Sequence, residues 1–181
     1  MREPEKMIAA IVKATDDGRL VGRVRMQKIV YLLQQLGLKD AQSFDFSYHH
    51  YGPYSADVDS AEWFADAFGL VRERRERRKS DGALYSVFEL AEKGEEVPDL
   101  PEEFRALANT LSKENSVILE LAATAHWLSE VERVKDWKKE ITLRKTWKVE
   151  EGRLEKALEL LKELGLPPAA AKSGEAPTAS A

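Results

Sequence analysis

Apolar residues recur at helical spacing along most of this chain, and in one stretch they crowd the helix on nearly every side. Residues 24–36 carry Met26, Ile29, Val30, Leu32, Leu33 and Leu36, a stripe too wide for a helix lying on a surface. Such a helix must be packed around by other elements, so it is expected near the centre of a core, with Gly37 as its stop. The neighbouring patterns supply that packing. Met7, Ile8, Ile11 and Val12 mark a helix before it, ended at Asp16-Asp17-Gly18. After it, Val58, Ala61, Phe64, Ala65 and Phe68 are expected to be the buried face of a helix that Ser55 caps and Gly69 closes. Asp57 suits that helix's first turn.

The C-terminal half reads as helices throughout. Phe104, Leu107 and Leu111 mark one, with Pro101 in its first turn. Ile118, Leu121, Ala125 and Leu128 mark a second, capped by Ser116 or Asn115. Val134, Trp137 and Ile141 mark a third, and Leu154, Ala157, Leu158, Leu161 and Leu164 a last one ending at Gly165.

Two stretches break this rhythm. Residues 44–51 are rich in aromatics and lead into Gly52-Pro53, an extended segment closed by a turn. Residues 70–90 read as a β-hairpin turning at Ser80-Asp81-Gly82, with Leu84, Tyr85, Val87, Phe88 and Leu90 on its second strand. Beyond Val71 the first strand is charged on both faces, so its far end must project into water. A short helical stretch at 91–96 precedes a break between Pro98 and Pro101. The expected fold is mainly α with a small β-hairpin: a winged-helix-like N-terminal part with an appended helical bundle. Residues 1–166 form one domain, and the low-complexity residues 167–181 are expected to be a disordered tail.

Several function classes find no support in the residues. Cysteine is absent, which excludes disulfides, thiolate metal sites and thiol nucleophiles and fits a cytoplasmic chain. No apolar run approaches the roughly 20 residues of a membrane span, and acidic residues interrupt the N-terminal apolar stretch where a secretory signal would lie. Of the three histidines, His49 and His50 point to opposite faces of an extended strand and His126 stands far off, so no metal site is expected. Gly18 and Gly22 do not make a phosphate-binding fingerprint, and no serine sits in a Gly-x-Ser-x-Gly elbow. Neither a catalytic residue nor a cofactor is expected, and the chain does not read as an enzyme.

Charge is concentrated in one place. The net charge is −4, yet residues 72–79 hold six of the 28 basic and two of the 32 acidic residues, which leaves 22 against 30, or −8, for the rest. Arg72, Arg74, Arg75, Arg77, Arg78 and Lys79 therefore form a basic finger on an acidic body. It can contact an acidic protein partner or nucleic-acid phosphates, or simply be a solvated tip whose charges discourage edge pairing. Against groove reading, the helix after Ser55 bears Asp57, Asp59, Glu62 and Asp66 with no Lys or Arg.

The segment Tyr48-His49-His50-Tyr51-Gly52-Pro53-Tyr54-Ser55 offers rigid aromatic area around a turn, either as a contact patch or as packing onto the core. It also belongs to a larger pattern. Met26-Gln27-Lys28-Ile29-Val30-Tyr31-Leu32-Leu33, then Tyr51-Gly52-Pro53-Tyr54-Ser55, then Gly69-Leu70-Val71 opening a hairpin, resembles the SocA/Panacea antitoxin domain, nearest in look to its uncharacterised YwgA-like branch. The stretch Glu120-Leu121-Ala122-Ala123-Thr124-Ala125-His126-Trp127 and the last helix fit the same pattern, so the resemblance spans roughly residues 5–165. It implies a small helical domain that neutralises a toxin by direct binding. The expected function is a non-catalytic, antitoxin-like binding module with a protein partner, a cognate toxin being the candidate. Its expected contacts are Tyr51, Gly52, Pro53 and Tyr54 at the turn, and the finger. The alternative is a winged-helix DNA-binding regulator that lays the finger on the phosphate backbone.

Overall fold

In the computed structural model, which describes residues 3–170, 57% of the chain is helical and 14% lies in strands of two small antiparallel sheets. Helix α1 (Pro4–Lys13) begins with proline in its first turn, where a missing N–H does no harm, and Met7–Val12 are buried all round rather than on one face. Strand β1 (Arg19–Val21) and helix α2 (Arg23–Gln35) follow, and every residue of α2 from Met26 to Leu33 is buried, as its broad stripe requires. A 3-10 turn (Lys39–Ser43) leads to β2 (Ser47–His49) and β3 (Gly52–Tyr54), which pair with Tyr48 opposite Pro53. Helix α3 (Ala56–Ala67) and the hairpin β4 (Val71–Arg77) and β5 (Leu84–Leu90) complete this half.

The hairpin is extended by β1, giving the order β1-β5-β4, all antiparallel, with Leu20 opposite Phe88 and Glu73 opposite Phe88 on its other side. From Arg74 to Asp81 the finger is exposed or half-exposed, as two charged faces dictate. The remaining helices are α4 (Glu92–Glu95), α5 (Glu102–Lys113), α6 (Ser116–His126), α7 (Trp137–Lys145) and α8 (Arg153–Glu163). Asn115, not Ser116, caps α6 by accepting the Val117 N–H. Residues Ile118–His126 of α6 are buried on every side, because α2, α7 and α8 all pack on it. The core thus has α2 against α6 at its centre.

Two expectations need correction. Phe64 and Phe68 are exposed, because the inner face of α3 is made of the small Val58, Ala61 and Ala65, which let α1 approach closely. Ser55 occupies the cap position of α3, but its hydroxyl makes no cap bond; the Gln27 side chain grips its backbone instead. Just beyond residue 166, Ala169 touches the body. Trp137 Nε1 donates to the Ala169 carbonyl at 2.7 Å, and the Ala169 N–H donates to Ser129 Oγ at 2.8 Å. The rest of the expected tail, 171–181, lies outside the described residues.

Candidate functional site

The Tyr-Gly-Pro turn is clamped from below by α2 and α6. Lys28, 1% exposed, donates from Nζ to the Pro53 carbonyl at 2.5 Å. Gln27 makes a paired contact two residues on: its amide nitrogen donates to the Ser55 carbonyl and its oxygen accepts the Ser55 N–H, each at 2.9 Å. Lys145 Nζ donates to the His50 carbonyl at 2.7 Å. Gly52 has φ of +83°, and a Cβ there would stand 2.5 Å from Thr124 Oγ1, so both backbone conformation and space require glycine.

This clamp divides the four turn residues. Gly52 and Pro53 are buried, beneath the surface they were expected to form. Tyr54 is half-buried, its hydroxyl donating to Asp59 at 2.8 Å and its ring 4.6 Å from that of His49. Tyr51 alone of the four stands out, 56% exposed, with Lys148 Nζ 4.9 Å above its ring.

A buried charge cluster underlies the turn. Glu120 on α6 is buried and pairs with Lys145 at 2.9 Å and Lys148 at 2.8 Å. Burial pushes the Lys28 ammonium down to about 7 and also lowers Lys145, in each case against the pull of Glu120. Beside it, Tyr31 and His126 share a hydrogen bond of 2.8 Å between Oη and Nδ1. Burial raises the phenol and lowers the imidazole, so each group is held toward its neutral form. His126 Nδ1 is occupied by Tyr31.

The finger and Tyr51 meet across a cleft of about 980 Å³. Arg75 and Arg78 line one side, and Tyr51, Lys148, Glu120 and the first turn of α6 the other. Arg19, Arg23 and Arg25 also line it, contributed by β1 and the start of α2. The finger's remaining cations, Arg72, Arg74, Arg77 and Lys79, do not; Arg74 pairs with Glu89, and Arg77 donates to the Gly82 carbonyl at 3.3 Å. Arg19, Arg23 and Arg25 escaped the sequence reading because they lie some 50 residues upstream of the finger. Their close spacing in Arg-Leu-Val-Gly-Arg-Val-Arg was the available signal.

Helix α3 presents a different surface. Trp63, Phe64 and Phe68 are 62%, 43% and 52% exposed, yet their rings touch, with centroids 4.9 Å apart for the first pair and 5.7 Å for the second. Of the four acidic residues expected on this face, one is turned inward. Glu62 is fully buried beside Arg23, and Asp59 is tied to Tyr54 and Gln27, so only Asp57 and Asp66 lie exposed.

No family model matches the chain. The chain is similar to the uncharacterized protein YwgA of Bacillus subtilis (strain 168), 24% identical over 158 residues that cover 83% of this chain and 90% of that protein. The likeness is compatible with the YwgA-like look of the turn. Among the described residues, no helix is long and apolar enough to cross a membrane.

Proposed function

We propose that this protein is a non-catalytic, antitoxin-like module of the cytoplasm that acts by binding a partner protein directly, through the outer face of α3. The observation that carries this reading is the Trp63–Phe64–Phe68 array. Three large aromatic rings in a row, Phe64 touching each of the other two, left in water on a helix whose other face is packed, are the composition and geometry of a binding hot spot. The half-buried and exposed carboxylates beside them, Asp59, Asp57 and Asp66, favour a partner with basic residues around an apolar centre. The resemblance to the SocA/Panacea antitoxin domain supports a toxin as that partner, and the likeness to YwgA supports the same overall fold.

The topology supports a winged-helix reading of the N-terminal half: two helices separated by β1, then α3, then a hairpin whose second strand pairs with β1. In that reading α3 stands where a recognition helix would. It holds no cation, and its outward side chains are aromatic, which favours protein over a phosphate-lined groove. The test is co-expression with the product of the adjacent reading frame, followed by co-purification. A stoichiometric complex, and rescue of growth if that product is toxic, is the expected result. Failure to capture any partner, from the adjacent frame or from the source cell, would contradict the reading.

A further inference from the structure

The cleft beneath the finger is separate from the α3 aromatic array, though Arg23 borders both. Six cations line it, Arg19, Arg23, Arg25, Arg75, Arg78 and Lys148, against Glu120 as the one carboxylate among its described lining residues. Three of the six are matched: Arg19 by Glu76, Arg23 by Glu73 and Glu62, and Lys148 by Glu120. Two are not. Arg75 has no hydrogen-bond or ion-pair partner among the described residues, and Arg25 donates only to the backbone carbonyls of Val21 and Glu114. Arg78 pairs with Asp81 at 3.1 Å, but both are well exposed and near in sequence, a contact of little strength that a better acceptor displaces. Glu114 and Glu73 act on Arg25 and Arg75 only through space, so the concavity holds two guanidinium groups without an ion-pair partner and a third weakly paired, around a space of about 980 Å³, close to the upper end of small-ligand sites.

We propose that this cleft binds a phosphate-bearing ligand that carries an aromatic base, its phosphates on Arg25, Arg75 and Arg78 and its base against Tyr51. Guanidinium forks match phosphate oxygens in pairs, which a single point charge does not. The exposed Tyr51 ring supplies a stacking surface at the same rim, and Leu84 adds apolar area. The surplus charge suits two phosphate groups. The ligand is a nucleotide or a segment of single-stranded nucleic acid, since both present the same groups.

Calorimetric titration of the full chain at low salt decides it, with ADP, inorganic pyrophosphate, an oligothymidylate and a glutamate-rich peptide as probes. ADP and pyrophosphate are expected to bind, and Arg75→Glu to weaken both at least tenfold. Tyr51→Ala is expected to weaken ADP severalfold and leave pyrophosphate unchanged, with Tyr51→Phe behaving as the parent. Both positions are exposed, so the variants should melt as the parent does. Oligothymidylate binding more than tenfold tighter than ADP assigns the site to a strand, and comparable affinity assigns it to a nucleotide. Absence of heat with every phosphate probe, phosphate binding that survives Arg75→Glu, or a glutamate peptide that binds as tightly as ADP overturns the proposal.

Discussion

Arg23 holds Glu62 at 2.9 Å from the first turn of α2, and Glu62 is fully buried on α3. The same guanidinium forks onto Glu73 of the finger through Nε and Nη2, at 2.9 and 2.6 Å. One side chain thus ties the helix with the aromatic array to the strand with the basic run.

The pair sets a pH dependence. Burial raises the Glu62 carboxyl well above its ordinary 4.5, more than Arg23 lowers it. The folded state then holds the proton more tightly than the unfolded chain, so stability falls as pH rises from about 4.5 through the folded value. Glu62→Gln removes that loss. It is expected to melt higher than the parent at neutral pH, with the gap closing toward pH 4. Arg23→Ala does the reverse at neutral pH, lowering the melting temperature because the buried carboxyl loses its cation. Thermal melts of the two variants across pH check both signs.

Lys28 gives an independent dependence at higher pH. Its folded value near 7 lies below the unfolded 10.5, so the unfolded chain binds the extra proton between them. Stability supplied by this site should rise with pH from about 7 to about 10 and be flat below 7. Lys28→Met lacks that slope. The difference in unfolding free energy between parent and variant, measured by denaturant at several pH values, should widen in the parent's favour as pH rises. A constant difference contradicts the assignment.

Gly52 separates conformational strain from crowding. Gly52→Ala places a methyl 2.5 Å from Thr124 Oγ1 at φ +83°, and is expected to destabilise by about 1–3 kcal/mol. Thr124→Ala in the same chain relieves the crowding but not the backbone strain. Recovery in chemical denaturation should therefore be partial.

How much of this was legible in the sequence follows from what each feature depends on. The central place of α2 was readable because Met26, Ile29, Val30, Leu32, Leu33 and Leu36 cover most of a helical turn. Lys28 and Gln27 lie in that same buried stretch, but helical spacing alone reads them as a polar edge; only the turn laid over them buries them. Strand β1 is invisible to pattern because two adjacent apolar residues, Leu20 and Val21, give no alternation, and its pairing is set by β5 some 65 residues on. On α3, side-chain size is a poor guide to burial. Val58, Ala61 and Ala65 form one stripe and Phe64 and Phe68 the next, and close packing against α1 selects the smaller set. Proximity of Tyr51 to Arg75 is likewise a product of the tertiary fold, with only the separate oddity of each segment visible beforehand.

The central claim is that the outer face of α3 binds a protein. It is tested most directly by the affinity of the isolated partner for the parent and for the Trp63→Ser/Phe64→Ser double variant. Both side chains are largely outside the core, so the variant should fold and keep its melting temperature. Truncating two central aromatic anchors, at about 2 kcal/mol or more each, corresponds to a weakening of several hundredfold or greater. A folded double variant that binds the partner as tightly as the parent would contradict the account.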